Sequence, residues 1–135
     1  MKVEVRLDDK CEETTVTITA QAMTEEVNEL LSRLSNQYPS LITGFLDDRL
    51  VVIEASEIIR VYASRQKVFI IAEACEYTTR LRLYQLEERL SGNGFVRISN
   101  FEIINLKKIR DFDLSFAGNI CVRFRNGTTT YVSRR

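Results

Sequence analysis

The chain has 135 residues, 44% of them hydrophobic, and its 19 Lys and Arg balance 19 Asp and Glu. That apolar content suits one ordinary domain with a real core and excludes a disordered chain, while no apolar run approaches the ~20 residues needed to span a bilayer. Histidine is absent, which removes the commonest general base, the Ser-His and Cys-His nucleophile pairs and the commonest metal ligand.

Residues 2–7 alternate strictly, with Val3, Val5 and Leu7 on one side and Lys2, Glu4 and Arg6 on the other, the pattern of a half-buried strand. Asp8-Asp9-Lys10 is a polar turn, and Thr15 to Ala20 alternates again, predicting an antiparallel partner. Thr24 is a helix N-cap, followed by Glu25 and Glu26 where the helix dipole favours anions. Val27, Leu30, Leu31 and Leu34 share one helical face, and the helix should stop near Asn36, ahead of the single proline, Pro39. Residues 1–43 thus read as a small ββα extension. Its first 38 residues are acidic, with four cations against eight anions. With no long apolar stretch after Met1 to act as a leader, the protein is expected in the cytoplasm.

From residue 40 onward the texture is continuous β. Leu41–Leu46 and Leu50–Ile53 flank an Asp47-Asp48-Arg49 turn. Glu57–Tyr62 and Val68–Ala72 flank Ser64-Arg65-Gln66-Lys67, and Tyr77–Leu81 continues the meander. Leu83, Leu86 and Leu90 mark a short helix that ends before Gly92 and Gly94. Ile120, Val122 and Phe124 alternate with Cys121, Arg123 and Arg125 ahead of Asn126-Gly127, the preferred pair for a type I′ hairpin turn. No internal repeat is evident. Residues 44–135 form the second unit, and the fold class expected is mainly β (α+β overall), mostly antiparallel, with a short helix.

Neutrality conceals an asymmetry. From Arg97 to Arg135 there are eight cations and three anions, an excess of five, so residues 1–96 carry the opposite excess. A basic end on an acidic body suggests a polyanion for one face. Arg123 and Arg125 alone would be an ordinary solvated strand face. The case strengthens because suitable groups recur in turns: Arg65-Gln66-Lys67, Ser99-Asn100 and Arg134-Arg135. Arg and Lys suit phosphates and guanine edges, and Asn and Gln suit adenine edges. The first helix is acidic and the second mixed, so a recognition helix is disfavoured and turns would have to make the contacts.

Other chemistry is poorly supplied. Asp8-Asp9, Asp47-Asp48 and Glu87-Glu88 fall in turns or on a helix exterior. Neither a phosphate loop nor a nucleophile elbow occurs. Cys11, Cys75 and Cys121 fit no disulfide framework or zinc spacing and read as buried or half-buried thiols. The expectation is no enzyme, no catalytic residue, no metal, no cofactor and no small-molecule substrate.

The run Phe95-Val96-Arg97-Ile98-Ser99-Asn100-Phe101-Glu102-Ile103-Ile104-Asn105-Leu106-Lys107-Lys108-Ile109 resembles the LytTR family of bacterial DNA-binding domains. The family pattern is close to F-x-R-(I/V)-H-(R/K)-S-x-(I/V)-(I/V)-N-L-x-x-I. The likeness extends upstream through Leu83, Leu86, Glu87 and Leu90 and downstream through Asn126-Gly127 to Tyr131-Val132-Ser133-Arg134-Arg135. It implies a bacterial transcription regulator that inserts loops into successive major grooves of double-stranded DNA and leaves the duplex bent. The positions it implies as DNA contacts are Arg65, Gln66, Lys67, Asn100, Arg134 and Arg135. It further implies a homodimer on paired sites and, in the stand-alone branch without a receiver domain, a small membrane protein that restrains the regulator. Two departures stand out. Ser99-Asn100-Phe101 replaces His-(Arg/Lys)-Ser, so a phosphate-neutralising cation is lost. Family members also run on through a short basic tail, so a shortened C-terminus with weakened DNA affinity is expected here. The alternative function is a protein-interaction or dimerisation module whose DNA binding has weakened.

Overall fold

The computed structural model describes residues 1–37, 41–115 and 117–133. A helix, α1 (Glu25–Gln37), precedes ten strands and a second helix: β1 (Leu41–Leu46), β2 (Arg49–Glu54), β3 (Ile58–Ser64), β4 (Lys67–Ala72), β5 (Glu76–Thr79), α2 (Leu83–Leu90), β6 (Phe95–Ser99), β7 (Glu102–Asn105), β8 (Ile109–Asp113), β9 (Asn119–Phe124) and β10 (Thr129–Ser133). The strands make a seven-stranded sheet in the order β2-β1-β5-β4-β3-β7-β6 and a three-stranded sheet in the order β10-β9-β8. Every pairing is antiparallel. The fold is therefore mostly antiparallel β with short helices.

The large sheet is covered on both faces. Leu83, Leu86 and Leu90 of α2 pack with Ile42, Ile53, Ile58, Val61, Ile70 and Ile103 on one side. Ile59 and Ile104 pack on the other with Val122 and Phe124 of the small sheet. A register shift between Ile58 and Arg60 lets one strand serve both layers. The extra residue flips the alternation, so Ile58 and Val61 share the helix-side core while Ile59 joins the other. Gly44 is required where β1 meets its neighbours, because a Cβ there would sit 2.9 Å from Ile53 Cδ1 and 3.1 Å from Tyr77 Cβ. Buried Asn105 ends β7. Its amide donates to Ile58 O (2.8 Å) and its carbonyl accepts from Lys107 N (3.0 Å), holding the 3-10 turn Leu106–Lys108.

Three expectations need correction. First, residues 1–24 form no strand, although α1 forms where its pattern places it, with Val27 and Leu31 buried. Val3, Val5, Leu7 and Val16 stay exposed, Leu7 at 96%. An isolated two-stranded ribbon is marginal in water, and no strand among the described residues pairs with these segments. Second, the Asn126-Gly127 hairpin exists but is not type I′. Gly127 is left-handed (φ 91°) and Asn126 is not. The loop is three residues long, with Gly127 N donating to Phe124 O (3.0 Å) and Phe124 N to Thr128 O (2.9 Å), a type I turn closed by a glycine bulge. Asn126 Oδ1 instead accepts from Thr128 N (3.0 Å) and Thr128 Oγ1 (2.6 Å). Third, Cys11 is exposed, whereas Cys75 is half-buried and Cys121 buried. The order hairpin, 3-10 turn, hairpin occurs over β1–β4 and again over β6–β9, without a repeat in the sequence. No helix among the described residues is long and apolar enough to cross a membrane.

Candidate nucleic-acid interface

Two hairpin tips leave the same end of the large sheet. In the β3–β4 hairpin Ser64 pairs with Lys67, so Arg65 and Gln66 form a two-residue turn. Both take positive φ, 52° and 66°, as a type I′ turn requires. In the β6–β7 hairpin Ser99 pairs with Glu102, leaving Asn100 and Phe101 at the tip. β3 and β7 are neighbours, with Tyr62 opposite Glu102, and Ala63 N donates to Phe101 O at 2.8 Å. Gln66 and Asn100 are thereby brought to one edge. Arg65, Gln66, Lys67, Asn100 and Phe101 are all exposed there. Arg134 and Arg135 lie outside the described residues, which reach Ser133 at the end of β10.

The Asn100 tip is braced from below. Arg97 Nε donates to Ser99 O (3.0 Å) and its Nη2 to Asn100 O (2.9 Å), while Nη1 reaches Glu87 on α2 (3.0 Å). Ser99 Oγ accepts from Phe101 N (3.1 Å). One strand step inward, Glu102 accepts from Arg60 Nη1 (2.9 Å) and from Thr130 Oγ1 (2.7 Å), which ties the large sheet to β10 of the small one. Arg60 is 24% exposed and Glu102 13%, so this pair is partly withdrawn from water. The Arg60 guanidinium also lies 4.8 Å from the Tyr62 ring, which stacks on Phe69 at 5.1 Å. Burial, and then the Glu76 carboxylate to which the Tyr62 hydroxyl donates (2.9 Å), raise the Tyr62 phenol above its ordinary pKa. The bonds of Arg97 and Ser99 fix the backbone of the Asn100 tip, so its exposed side chains start from a set frame.

Part of the C-terminal charge is neutralised internally. Arg97 pairs with Glu87, Lys108 with Glu73, and Arg123 with Asp111 and Asp113. The hydroxyl and N–H of Ser115, and then Arg123, hold the Asp113 carboxyl at about 2, below its ordinary 3.8. The cations without a salt bridge among the described residues include Arg65, Lys67, Arg80 and Arg82. Arg80 and Arg82 were not singled out from the sequence. They join Gln66 and Lys67 around an open cleft of about 570 Å³, with Arg80 4.9 Å from the Phe45 ring. Only the pairing of β5 between β1 and β4 brings them to the tip, and no local pattern announces that pairing.

Two facing antiparallel sheets, a short covering helix and a pair of hairpin tips define a sheet-built domain that presents exposed polar side chains on turns. Residues 48–135 match the family model described as the LytTr DNA-binding domain. The chain belongs to the LytTR family of DNA-binding domains. It is similar over its full length to Staphylococcus aureus proteins named as uncharacterised HTH-type transcriptional regulators. It is 29% identical to those of strains MSSA476 and MW2 and 28% to that of strain NCTC 8325, covering 92% of each. The fold is also that of a solved LytTr DNA-binding domain from Bacillus cereus. The TM-score is 0.66 at 22% identity, over 70% of this chain and 86% of that one. Despite the relatives' name, five strands separate α1 from α2, and no helix-turn-helix occurs among the described residues.

Proposed function

We propose that this chain is a sequence-specific, non-enzymatic transcription regulator that reads double-stranded DNA with hairpin tips. The observation that supports it best is the adjacency of the Arg65-Gln66 and Asn100-Phe101 tips on neighbouring strands, tied by the Ala63–Phe101 bond. Strands are ~4.8 Å apart, so the centres of the two hairpins are about 10 Å apart, within one major groove of ~12 Å. In this reading Gln66 and Asn100 address base edges, and Arg65 and Lys67 neutralise phosphates, with Arg80 and Arg82 beside them. Arg134 and Arg135 add further phosphate contacts. The acidic 1–43 extension, with its apolar row in water, serves to form a homodimer or to hold a restraining membrane partner. The protein acts in the cytoplasm.

The test is a titration of the full chain onto its own promoter between about 50 and 200 mM salt. Affinity should fall steeply with salt and exceed that for random duplex. Replacing Arg65 and Lys67 together by Ala should lower the slope of log affinity against log salt by about two. Salt-insensitive binding, or no preference over random DNA, would reject the reading. Light scattering over a dilution series tests the extension: a dimer that persists without DNA and is lost on deleting residues 1–37 supports it.

A further inference from the structure

Phe101 is a large apolar side chain standing in water. It is 66% exposed, although the backbone around it is held by four hydrogen bonds. Its carbonyl accepts from Ala63 N (2.8 Å), its N–H donates to Ser99 Oγ (3.1 Å), and Arg97 grips the carbonyls of Ser99 and Asn100. Folding gains little from a ring left outside, and a serine or asparagine would serve this turn better. A rigid tip that displays an apolar ring beside an amide is built to meet a surface that is itself part polar and part apolar.

We infer that Phe101 is a specificity-determining residue that packs its ring on the C5-methyl of a thymine, beside an adenine edge addressed by Asn100. The inference rests on the DNA-binding reading above and goes further by naming the base. In the major groove an A·T pair offers adenine N7 and N6–H₂ to a side-chain amide, and the thymine methyl is the apolar group on that edge. The Asn100-Phe101 pair matches both halves of that pattern. A guanine-cytosine pair has no methyl, and its purine offers two acceptors instead of an acceptor and a donor, so the amide would lose one of its two bonds and the ring would lie against polar edge atoms. The tip therefore selects A·T steps, where a cation in place of Asn100 would favour guanine or phosphate.

The experiment uses the full chain and two duplex chemistries. Sites are first selected from a randomised pool, and each thymine of the selected site is then replaced singly by deoxyuridine, which differs only in lacking the methyl. Wild-type protein should lose about fourfold in affinity at one thymine of the tip's subsite, the worth of one buried methyl group. Phe101→Ala should bind the unmodified site about fourfold or more weakly and show no loss at that deoxyuridine. Phe101→Leu should keep part of the methyl preference. Thermal melting of the variants should match wild type, since the ring is exposed. A selected site at which wild type and Phe101→Ala respond alike to every deoxyuridine overturns this inference alone. Failure of the wild type to select any site overturns the DNA-binding reading, and this inference with it.

Discussion

The β3–β4 and β9–β10 turns meet the same steric problem with opposite sequences. At β9–β10 the chain supplies Asn126-Gly127, and the only left-handed position falls on the glycine. At β3–β4 two left-handed positions fall on Arg65 and Gln66, neither of which has a short side chain to offset the cost. Left-handed backbone costs an ordinary residue about 1–2 kcal/mol. The first turn is chosen for folding, whereas the second spends stability to hold a cation and an amide at the sheet edge. Strain of this kind collects where a surface has work to do.

The sharpest way to break the contrast is beneath it, at Glu102, which joins the tip hairpin to β10. Glu102→Ala leaves Arg60 half-buried without its carboxylate and Thr130 without its acceptor. Stability in urea should fall by about 2–3 kcal/mol, less than for a fully buried pair because both groups keep some contact with water. Replacing Arg65-Gln66 by Asn-Gly should do the reverse. The variant should gain about 1–2 kcal/mol in the same assay, the relieved strain outweighing the added freedom of glycine when unfolded, and should lose DNA affinity. Gly127→Ala is the mirror of that change. No atom lies within 4 Å of the new Cβ, so the added backbone strain alone should lower stability by about 1 kcal/mol, and DNA affinity should not move. The smallest effect is at Asp113. Its folded pKa is about 2 against an ordinary 3.8, so its contribution is present above pH ~4 and is lost as pH falls toward 2. Melting temperature against pH should lose part of its acid slope in Asp113→Asn.

Local chemistry explains what could be read in advance. The spacing of Leu83, Leu86 and Leu90 is a helical face wherever it folds, and the alternation from Ile120 to Phe124 is a strand. The family run from Phe95 to Ile109 pointed to the Asn100 tip. What escaped depends on pairing between distant segments. Neither the placement of β5 between β1 and β4 nor the approach of Arg80 and Arg82 to Gln66 has a signature along the chain. The fate of residues 2–7 and 15–20 turned on the same point, since alternation states which side chains share a face and not whether a surface exists to cover it. The charge excess after Arg97 is legible along the chain, but the partners of Arg97, Lys108 and Arg123 are revealed only by the fold.

The Glu102–Thr130 bond has a mechanical consequence. It pins the strand that leads to the C-terminus onto the hairpin that carries Asn100, while Ala63 locks the two hairpins to each other. In the proposed DNA-binding reading, a jaw braced at both joints resists flexing to follow a straight double helix, and a mismatch of curvature falls on the nucleic acid, at an elastic cost on the order of 1–6 kcal/mol for a bend of ~40–90°. Base steps that yield easily would be favoured even where no side chain touches them.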